Sequence, residues 1–257
     1  MVDIQRYGTL VIPNLDGRKC LTRDIVSRYT NQFVGPCFTL FDGLEIDPSY
    51  ELIAEDTFCL GIGFEKLEIP STIKTIQRSA FCDMHHTSEL ILSSGIKTIS
   101  CGAFSFVNRR VIEKIVFDCK DINIDNPILF GHLGIEIERY QPTIGYKAFM
   151  KGENGKLICR DTVYTERLIY EMEDSPKCCH RGFHYCIAPV ECLRYYGGVY
   201  GKNFVIHEIN VLGMTDYDEF YPAKRCTNRF SIGRELSLQE VFDTSIEIFD
   251  YIKENYT

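Results

Sequence analysis

The residues best able to bind a metal or take part in catalysis lie close together at residues 178–186, Cys-Cys-His-Arg-Gly-Phe-His-Tyr-Cys. Thiolate and imidazole groups are the usual ligands of protein-bound zinc, and Cys179, His184 and Cys186 could supply three of them, with Cys159 as a fourth. A structural zinc site normally also contains paired ligands such as Cys-x-x-Cys, and the chain has no such pair. The spacing therefore favours buried thiols and a hydrogen-bonded core histidine, and we assign no metal and no other cofactor.

The same segment also contains the elements of a cysteine nucleophile. A thiolate forms at neutral pH only beside a base or a cation, and residues two apart on a strand, as His184 and Cys186 are, point to one face. However, the sequence offers no third residue to orient the histidine and no phosphate-cradling glycine loop. We therefore assign no catalytic residue.

Several predicted elements would hold this segment in place. Residues 203–211 read as a strand with Val205, Ile209 and Val211 on one face. Pro189 begins a short helix through residue 196 that two glycines end, and residues 230–232 form another strand. Ser237 and Glu240 form a capping box before an amphipathic helix over 238–251. We predict a small mixed α and β domain over residues 144–257.

The first half of the chain carries a repeat with a period of 23 residues. Six positions recur in three copies, and each copy closes on a small residue or threonine followed by phenylalanine. The aligned sets are Leu44, Leu67 and Leu90; Ile46, Ile69 and Leu92; Tyr50, Ile73 and Ile96; Ile53, Ile76 and Ile99; Thr57, Ala80 and Ala103; Phe58, Phe81 and Phe104. Chance does not account for this agreement.

Each copy begins with an apolar residue at every second position, which is the pattern of a strand with one buried face. A single copy cannot bury that face, so the copies must stack. We predict a short leucine-rich-repeat β-solenoid over residues 44–135, an N-terminal capping region over 1–43, and an α+β fold class for the whole chain. A partial fourth copy aligns Ile115 with Leu92 and Ile122 with Ile99, and its closing aromatic is missing or displaced to Phe130.

Two rows of outward-facing residues follow from this alignment, and they are the candidate partner-binding surface of the solenoid. Their alternative interpretation is an ordinary solvated face of mixed charge. The rows are Glu45, Glu68, Ile91 and Lys114, and Glu51, Lys74, Lys97 and Lys120.

The repeat resembles the BspA-like leucine-rich repeat, whose units read approximately L-x-I-P-x-x-I-x-x-I-x-x-x-A-F. Residues 67–81 fit it at every defined position, residues 90–104 depart only at the proline, and the first copy departs further at Asp47 and Tyr50. The resemblance covers about residues 44–130. It implies an interaction protein, since proteins with this repeat typically bind partners and are often displayed on cell surfaces.

The second half resembles an uncharacterised domain common in phage and prophage proteins, over about residues 146–240. In that family a C-R-x-x-x-Y stretch precedes a G-F-H-x-C core. The matching residues are Cys159, Arg160, Tyr164, Gly182, Phe183, His184, Cys186 and Pro189. The resemblance implies a phage or mobile-element origin, and the family carries no established activity.

The order of elements in the second half is also similar to that of small ADP-ribosyltransferases of the rifampin-modifying type, which bind NAD in a split-sheet cleft. Their first strand usually offers His or Arg to the nicotinamide ribose, whereas this chain has Lys147. No acidic residue can be assigned to the third role. An NAD-using transferase whose repeats select the target is therefore the alternative to a non-enzymatic binding protein.

Composition narrows the possible partners. The formal net charge of −8 and the pI of about 5.3 argue against nonspecific nucleic-acid binding, so we expect a protein partner. No apolar run reaches membrane-spanning length and the first residues do not read as a signal peptide, so we expect a cytoplasmic protein whose twelve cysteines stay reduced and are mostly buried. Oligomerisation through the open ends of the solenoid is a third possibility.

Overall fold

The computed structural model describes residues 4–33, 38–82, 84, 86–104, 112–125 and 137–256. The chain divides into two compact units, Met1–Leu133 and Gly134–Thr257. Among the described residues, no helix has both the length and the apolar character needed to cross a membrane.

The first unit consists of short strands and one helix, α1 (Arg23–Thr30). Its strands are two to four residues long, as expected when each repeat contributes only a few residues to each sheet. They are β1 (Ile4–Tyr7), β2 (Leu10–Ile12), β3 (Cys20–Leu21), β4 (Phe38–Phe41), β5 (Leu44–Ile46), β6 (Leu52–Ile53), β7 (Ile62–Phe64), β8 (Lys66–Ile69), β9 (Thr75–Ile76), β10 (Glu89–Leu92), β11 (Thr98–Ile99), β12 (Lys114–Phe117) and β13 (Asn123–Ile124).

All the strand pairs within this unit are parallel, and each joins equivalent strands of neighbouring repeats. The orders are β1-β4-β7, β2-β5, β8-β10-β12 and β3-β6-β9-β11-β13. Leu67 pairs with Leu90, and Ile53, Ile76 and Ile99 follow one another along the longest of these sheets. The predicted 23-residue alignment of the first three copies is therefore confirmed.

The core of this unit is built from columns of like residues. Phe58, Phe81 and Phe104 are fully buried, and their rings stack nearly parallel, with centroids 4.7 Å apart in the first pair and 5.3 Å in the second. Ala80 and Ala103 before them are also fully buried. Stacking of copies therefore buries the apolar face that one copy alone would expose.

The predicted alignment of the fourth copy is wrong by two residues. Ile115 pairs with Leu90 and Phe117 with Leu92, whereas the predicted register would have placed Glu113 at the buried position opposite Leu90. Strand register follows the burial of apolar side chains, so the strand takes the register that buries Ile115 and half-buries Phe117. Similarly, Ile124 and not Ile122 pairs with Ile99. The displaced aromatic, Phe130, lies outside the described residues.

The strand motif upstream of the first copy also stacks, although it does not follow the 23-residue period. Leu10 pairs with Leu44 and Ile12 with Ile46, in the same parallel arrangement as the later repeats. The extra residues between the two strands include α1. A longer connection hides this repeat from a search at fixed spacing.

The second unit is built on a nine-stranded sheet of antiparallel pairs, with α2 (Leu238–Tyr256) and short 3-10 helices at Ile137–Arg139, Glu153–Gly155 and Pro189–Arg194. Its strands are β14 (Ile144–Lys151), β15 (Leu157–Cys159), β16 (Thr162–Tyr164), β17 (Ile169–Glu171), β18 (Phe183–Cys186), β19 (Gly198–Val199), β20 (Phe204–Val211), β21 (Thr215–Tyr217), β22 (Lys224–Thr227) and β23 (Arg229–Glu235). The sheet order is β17-β23-β20-β14-β18-β22-β21, with the β15–β16 hairpin attached to β14.

The elements predicted for this half are present. β20 places Val205 and Ile209 in the core cluster of the unit, and Val211 packs against it, as predicted. The capping box is confirmed, because the Ser237 amide donates to the Glu240 carboxylate at 2.7 Å and the Glu240 amide donates to the Ser237 hydroxyl at 3.2 Å. The helix that follows is longer than predicted and ends at Tyr256.

Candidate functional site

A cavity of about 560 Å³ lies where the sheet of the second unit divides. β14 and β18 are joined by a single residue pair, Tyr146 with Cys186, while β14 continues along β20 over seven pairs. Away from Tyr146 and Cys186 the two strands therefore carry no ladder hydrogen bonds to each other. We call the space lined by these strands the split-sheet cavity.

The wall of the split-sheet cavity comes from five parts of the unit. These are β14, the β15–β16 hairpin, the residue after β17, the segment through β18 with the start of β22, and the end of the 3-10 helix that begins at Pro189. The lining residues are Tyr146, Lys147, Ala148, Cys159, Arg160, Thr162, Tyr164, Met172, Cys179, Gly182, Phe183, His184, Tyr185, Cys186, Cys192, Tyr195, Tyr196 and Lys224.

Seven of the eight residues singled out in the second half of the sequence line this one cavity. They are Cys159, Arg160, Tyr164, Gly182, Phe183, His184 and Cys186. The eighth, Pro189, is buried and begins the 3-10 helix whose far end brings Tyr195 and Tyr196 to the wall. Its fixed φ and missing amide suit a helix start, so Pro189 positions the wall without lining it.

Lys147 spans the division of the sheet. Its backbone pairs with His207 on β20, and its ammonium group donates a hydrogen bond of 2.8 Å to the carbonyl of His184 on β18. The residue is only 7% exposed, although it carries a positive charge. The lysine thus replaces, at this point, the backbone hydrogen bond that the divided sheet lacks.

His184 is held by the loop that precedes its own strand. The backbone amide of Cys179 donates to Nε2 of His184 at 3.0 Å, so in the neutral ring the proton lies on Nδ1. The histidine is half-buried; its Nε2 accepts from the Cys179 amide, and the Cys178 thiol is hydrogen-bonded to its ring. Cys186 is hydrogen-bonded to Cys192, so among the described residues the His184 and Cys186 pair considered from the sequence is not joined by a hydrogen bond.

The Cys179 thiol lies between two charged groups. Lys224 donates to its sulfur at 3.0 Å, and the thiol donates to the Asp218 carboxylate at 3.1 Å. Lys224 lowers the pKa of Cys179, whereas Asp218 and partial burial raise it, and the pKa ends above its ordinary value. This cysteine is consequently held as a thiol and not as a nucleophilic thiolate.

The four cysteine and histidine residues considered as zinc ligands do not converge. Cys159 accepts a hydrogen bond from the Tyr196 hydroxyl at 3.4 Å, and the free thiol of Cys186 is hydrogen-bonded to the free thiol of Cys192. Among the described residues, the one group of three potential ligand atoms in contact is that of Asp56, Cys59 and Cys82 in the first unit. There the two sulfurs are joined to each other in a disulfide.

The cysteines are less buried than the sequence predicted, and two of them are not reduced. Cys59 and Cys82 are bonded although all thiols were expected to be reduced, and they occupy equivalent positions of successive repeats, with Cα atoms 4.9 Å apart. Of the nine free cysteines that the structure describes, four are buried, and all four are in the second unit. They are Cys178, Cys186, Cys192 and Cys226.

Sequence reasoning missed part of the wall. Adjacent basic residues such as Lys224 and Arg225 are more often solvated surface, but Lys224 lines the cavity and Arg225 is 1% exposed. A similar basic group at residues 108–110 lies outside the described residues. Period-two alternation on β22 is the signal that could have shown that one of these two cations points inward.

Labelling of thiols tests the description of the cavity wall. The hydrogen bond with Cys192, and then burial, raise the pKa of Cys186 well above its ordinary value, so we expect this thiol to resist iodoacetamide at pH 8 in the native protein. Cys101 is exposed and is the internal control, which we expect to be modified first. Mass spectrometry of native and denatured samples measures both. Equal rates for Cys101 and Cys186 in the native protein would contradict the burial.

The two rows of charged residues proposed as a binding surface in the first unit are only partly as aligned from the sequence. Ile91 pairs with Glu68 and with Val116, so Lys114 leaves the first row and instead pairs with Glu89. In the second row, backbone hydrogen bonds link Glu51 to Lys74 and Lys74 to Lys97. The next backbone hydrogen bond along this row runs from the amide of Asn123 to the carbonyl of Lys97. Since Asn123 pairs with Thr98, Ile122 and not Lys120 follows Lys97.

The charges of these rows differ in how they are compensated. Lys114 forms an ion pair with Glu89, Lys66 with Glu68 at 3.4 Å, and Lys19 with Glu51 at 2.6 Å. Over the part of the chain that the structure describes, neither Lys74 nor Lys97 forms an ion pair, and both are exposed. Glu45 and Lys120 are also exposed.

Comparison with known families gives two matches. The model of the BspA type leucine rich repeat region matches residues 37–154 with six copies, and that of a domain of unknown function (DUF7666) matches residues 143–244. No curated protein and no solved structure matches the chain. The resemblance to BspA-like repeats is thus confirmed, over more copies than the three found by their spacing, and an uncharacterised domain occupies the second half.

Proposed function

We propose, from the premise that this chain joins a BspA-type leucine-rich-repeat region to a domain of unknown function, that it is a binding protein that recognises a protein partner. Repeats of this type suggest a protein-interaction role. We further propose that the stacked repeats form a short solenoid and that the partner docks on its outward-facing rows. The phage or mobile-element origin and the cytoplasmic location stay predictions from the sequence.

The observation that supports this proposal is the lysine pair formed by Lys74 and Lys97. The amide of Lys97 donates to the carbonyl of Lys74 at 2.8 Å, so the two residues are neighbours on adjacent parallel strands. Both are exposed, and neither is compensated by an ion pair in the described part of the chain, although the whole chain has a net charge of −8. A local basic patch on an acidic protein fits a partner with an acidic surface.

A comparison of charge-reversed variants tests the proposal. Three proteins are compared: the wild-type full chain, the double variant Lys74→Glu/Lys97→Glu, and the control Lys156→Glu/Lys202→Glu. The two variants have the same change in net charge. Lys156 and Lys202 are exposed and lie in the second unit. Each immobilised protein is incubated with an extract of the cells that make it, and retained proteins are identified by mass spectrometry.

We expect one protein to be retained by the wild type and the control and lost from the lysine-pair variant. The purified candidate should then bind the wild type directly, with affinity reduced at least about tenfold by the two substitutions, which corresponds to about 1.4 kcal/mol. Higher salt should weaken the complex, because the lysines are exposed. Retention of the same proteins by all three forms would refute the proposed surface.

The alternative, an NAD-using transferase, has in its favour the divided sheet of the second unit and its cavity. The wall of the split-sheet cavity contains Tyr164 and His184, but among the described residues that line it there is no aspartate or glutamate to serve as the missing acidic group. We therefore propose binding ahead of the transferase.

A further inference from the structure

The split-sheet cavity has an uneven charge. Three of its lining residues, Lys147, Arg160 and Lys224, are basic, and no described lining residue is a carboxylate. Lys224 is compensated from outside the wall by Asp218, whose carboxylate lies 3.7 Å from its ammonium group. Within the described chain, Lys147 and Arg160 form no ion pair. The cavity therefore presents two uncompensated cations to whatever occupies it.

Lys147 makes the argument for a ligand specific. It is more than nine-tenths buried, and its ammonium group can donate three hydrogen bonds. Within the described chain it has one hydrogen-bond acceptor, the carbonyl of His184, and a cation–π contact with the Phe149 ring at 5.6 Å, but no anionic partner. A buried ammonium group without an anionic partner is costly, and buried charges in proteins are generally paired. An anion in the cavity would supply the partner that the protein does not.

Arg160 also lines the cavity and lies on the turn between β15 and β16. Its φ is +54°, an uncommon conformation for a residue other than glycine, and the residue is exposed. The guanidinium group is close enough to Tyr164 and Tyr196 to lower the pKa of both hydroxyls, although burial raises each pKa more. Arginine is suited to phosphate because its planar fork donates two hydrogen bonds at once.

Aromatic rings make up much of the remaining wall. Tyr146, Tyr164, Phe183, Tyr185, Tyr195 and Tyr196 all line the cavity. Nucleobases stack on such rings whatever their identity, because every base has a π-face. Cations with aromatic walls therefore match a molecule with an anionic group at one end and a flat ring at the other.

The size agrees with such a molecule. A volume of about 560 Å³ falls within the range of roughly 300–1,000 Å³ found for small-molecule sites and exceeds what a bare phosphate ion fills. We propose that the split-sheet cavity binds a phosphorylated nucleoside, with its phosphate on Lys147 and Arg160 and its base against the tyrosines. This site is separate from the lysine pair of the repeats, and either proposal can fail without the other.

Isothermal titration of the full chain tests the site with defined probes. These are the four common ribonucleoside monophosphates, the matching nucleosides, and inorganic phosphate. We expect at least one monophosphate to bind, and its nucleoside and phosphate alone to bind at least about tenfold more weakly, because each satisfies only part of the wall. Absence of binding by all four monophosphates, or equal binding of inorganic phosphate, would overturn the proposal.

Substitutions then locate the site. Lys147→Met and Arg160→Met should each reduce affinity for the preferred monophosphate at least about tenfold, and Lys202→Met, an exposed lysine outside the cavity, should leave it unchanged. Arg160 is exposed, so its variant tests the site even if replacement of the buried lysine impairs folding, which circular dichroism would reveal. Unchanged affinity in a folded Arg160→Met variant would place the ligand elsewhere and overturn the assignment.

Discussion

Replacement of Phe81 by alanine is expected to destabilise the first unit by about 3–5 kcal/mol, the range found when a large aromatic side chain is removed from a protein core. Phe81 is fully buried and is the middle ring of the column, with Phe58 on one side and Phe104 on the other. Its loss removes both stacking contacts and leaves a cavity between two fully buried rings. The effect should therefore lie at the upper end for a single substitution.

Urea unfolding followed by circular dichroism measures this loss, and hydrogen exchange of residues 44–104 assigns it to the repeats. Phe220→Ala is the matched control, because Phe220 is 98% exposed and its removal should change stability by less than about 0.5 kcal/mol. A loss below about 1 kcal/mol for Phe81→Ala would show that the column does not hold the repeats together.

The second large effect is expected at Arg225. Its guanidinium group donates to the carbonyls of Ile137 at 2.7 Å and Tyr140 at 3.1 Å, and it stacks over the Tyr217 ring at 5.0 Å. Arg225→Ala removes a fully buried side chain and leaves two carbonyls without this donor, so we expect a loss of about 2–4 kcal/mol.

A second substitution separates packing from hydrogen bonding at this position. Arg225→Met keeps most of the side-chain volume and removes the buried charge. Its loss of unfolding free energy should therefore be smaller, about 1–2 kcal/mol, and due mainly to the unpaired carbonyls. Arg181→Ala is the surface control, since the Arg181 side chain makes exposed contacts, a hydrogen bond to the Ser175 carbonyl and an ion pair with Asp174. If Arg225→Ala proved as mild as Arg181→Ala in urea unfolding, the two carbonyls would not depend on the arginine.

Arg225 also shows where sequence reasoning fails. Lys224 and Arg225 are adjacent basic residues, which are usually solvated. Alternation along β22 indicates that one of them points inward, but nothing in the local pattern shows that Arg225 is fully buried. The strand β22 turns Arg225 toward carbonyls more than eighty positions earlier in the chain. A partner so distant in sequence leaves no local signal.

The register of the fourth repeat, and the repeat that contains Leu10, could not be predicted from a fixed period for a related reason. A fixed 23-residue period describes repeats of equal length, but the connections before β5 and before β12 are longer. Burial of the apolar face sets the register of a strand, whatever the length of the loop that leads to it. Ile115 and Phe117 therefore take the positions opposite Leu90 and Leu92.

By itself, the sequence determined the repeats, because apolar side chains at fixed spacing must stack to be buried, and the Leu, Ile and Phe columns follow from that requirement. It also identified the residues Cys159, Arg160, Tyr164 and 182–186 as a group, by their resemblance to an uncharacterised domain. Only the tertiary structure decided that these residues surround one cavity, because the cavity exists where β14 and β18 part. The separation of β14 from β18 depends on which strands pair on either side of them. Strand pairing at long range is set by the packing of the whole sheet.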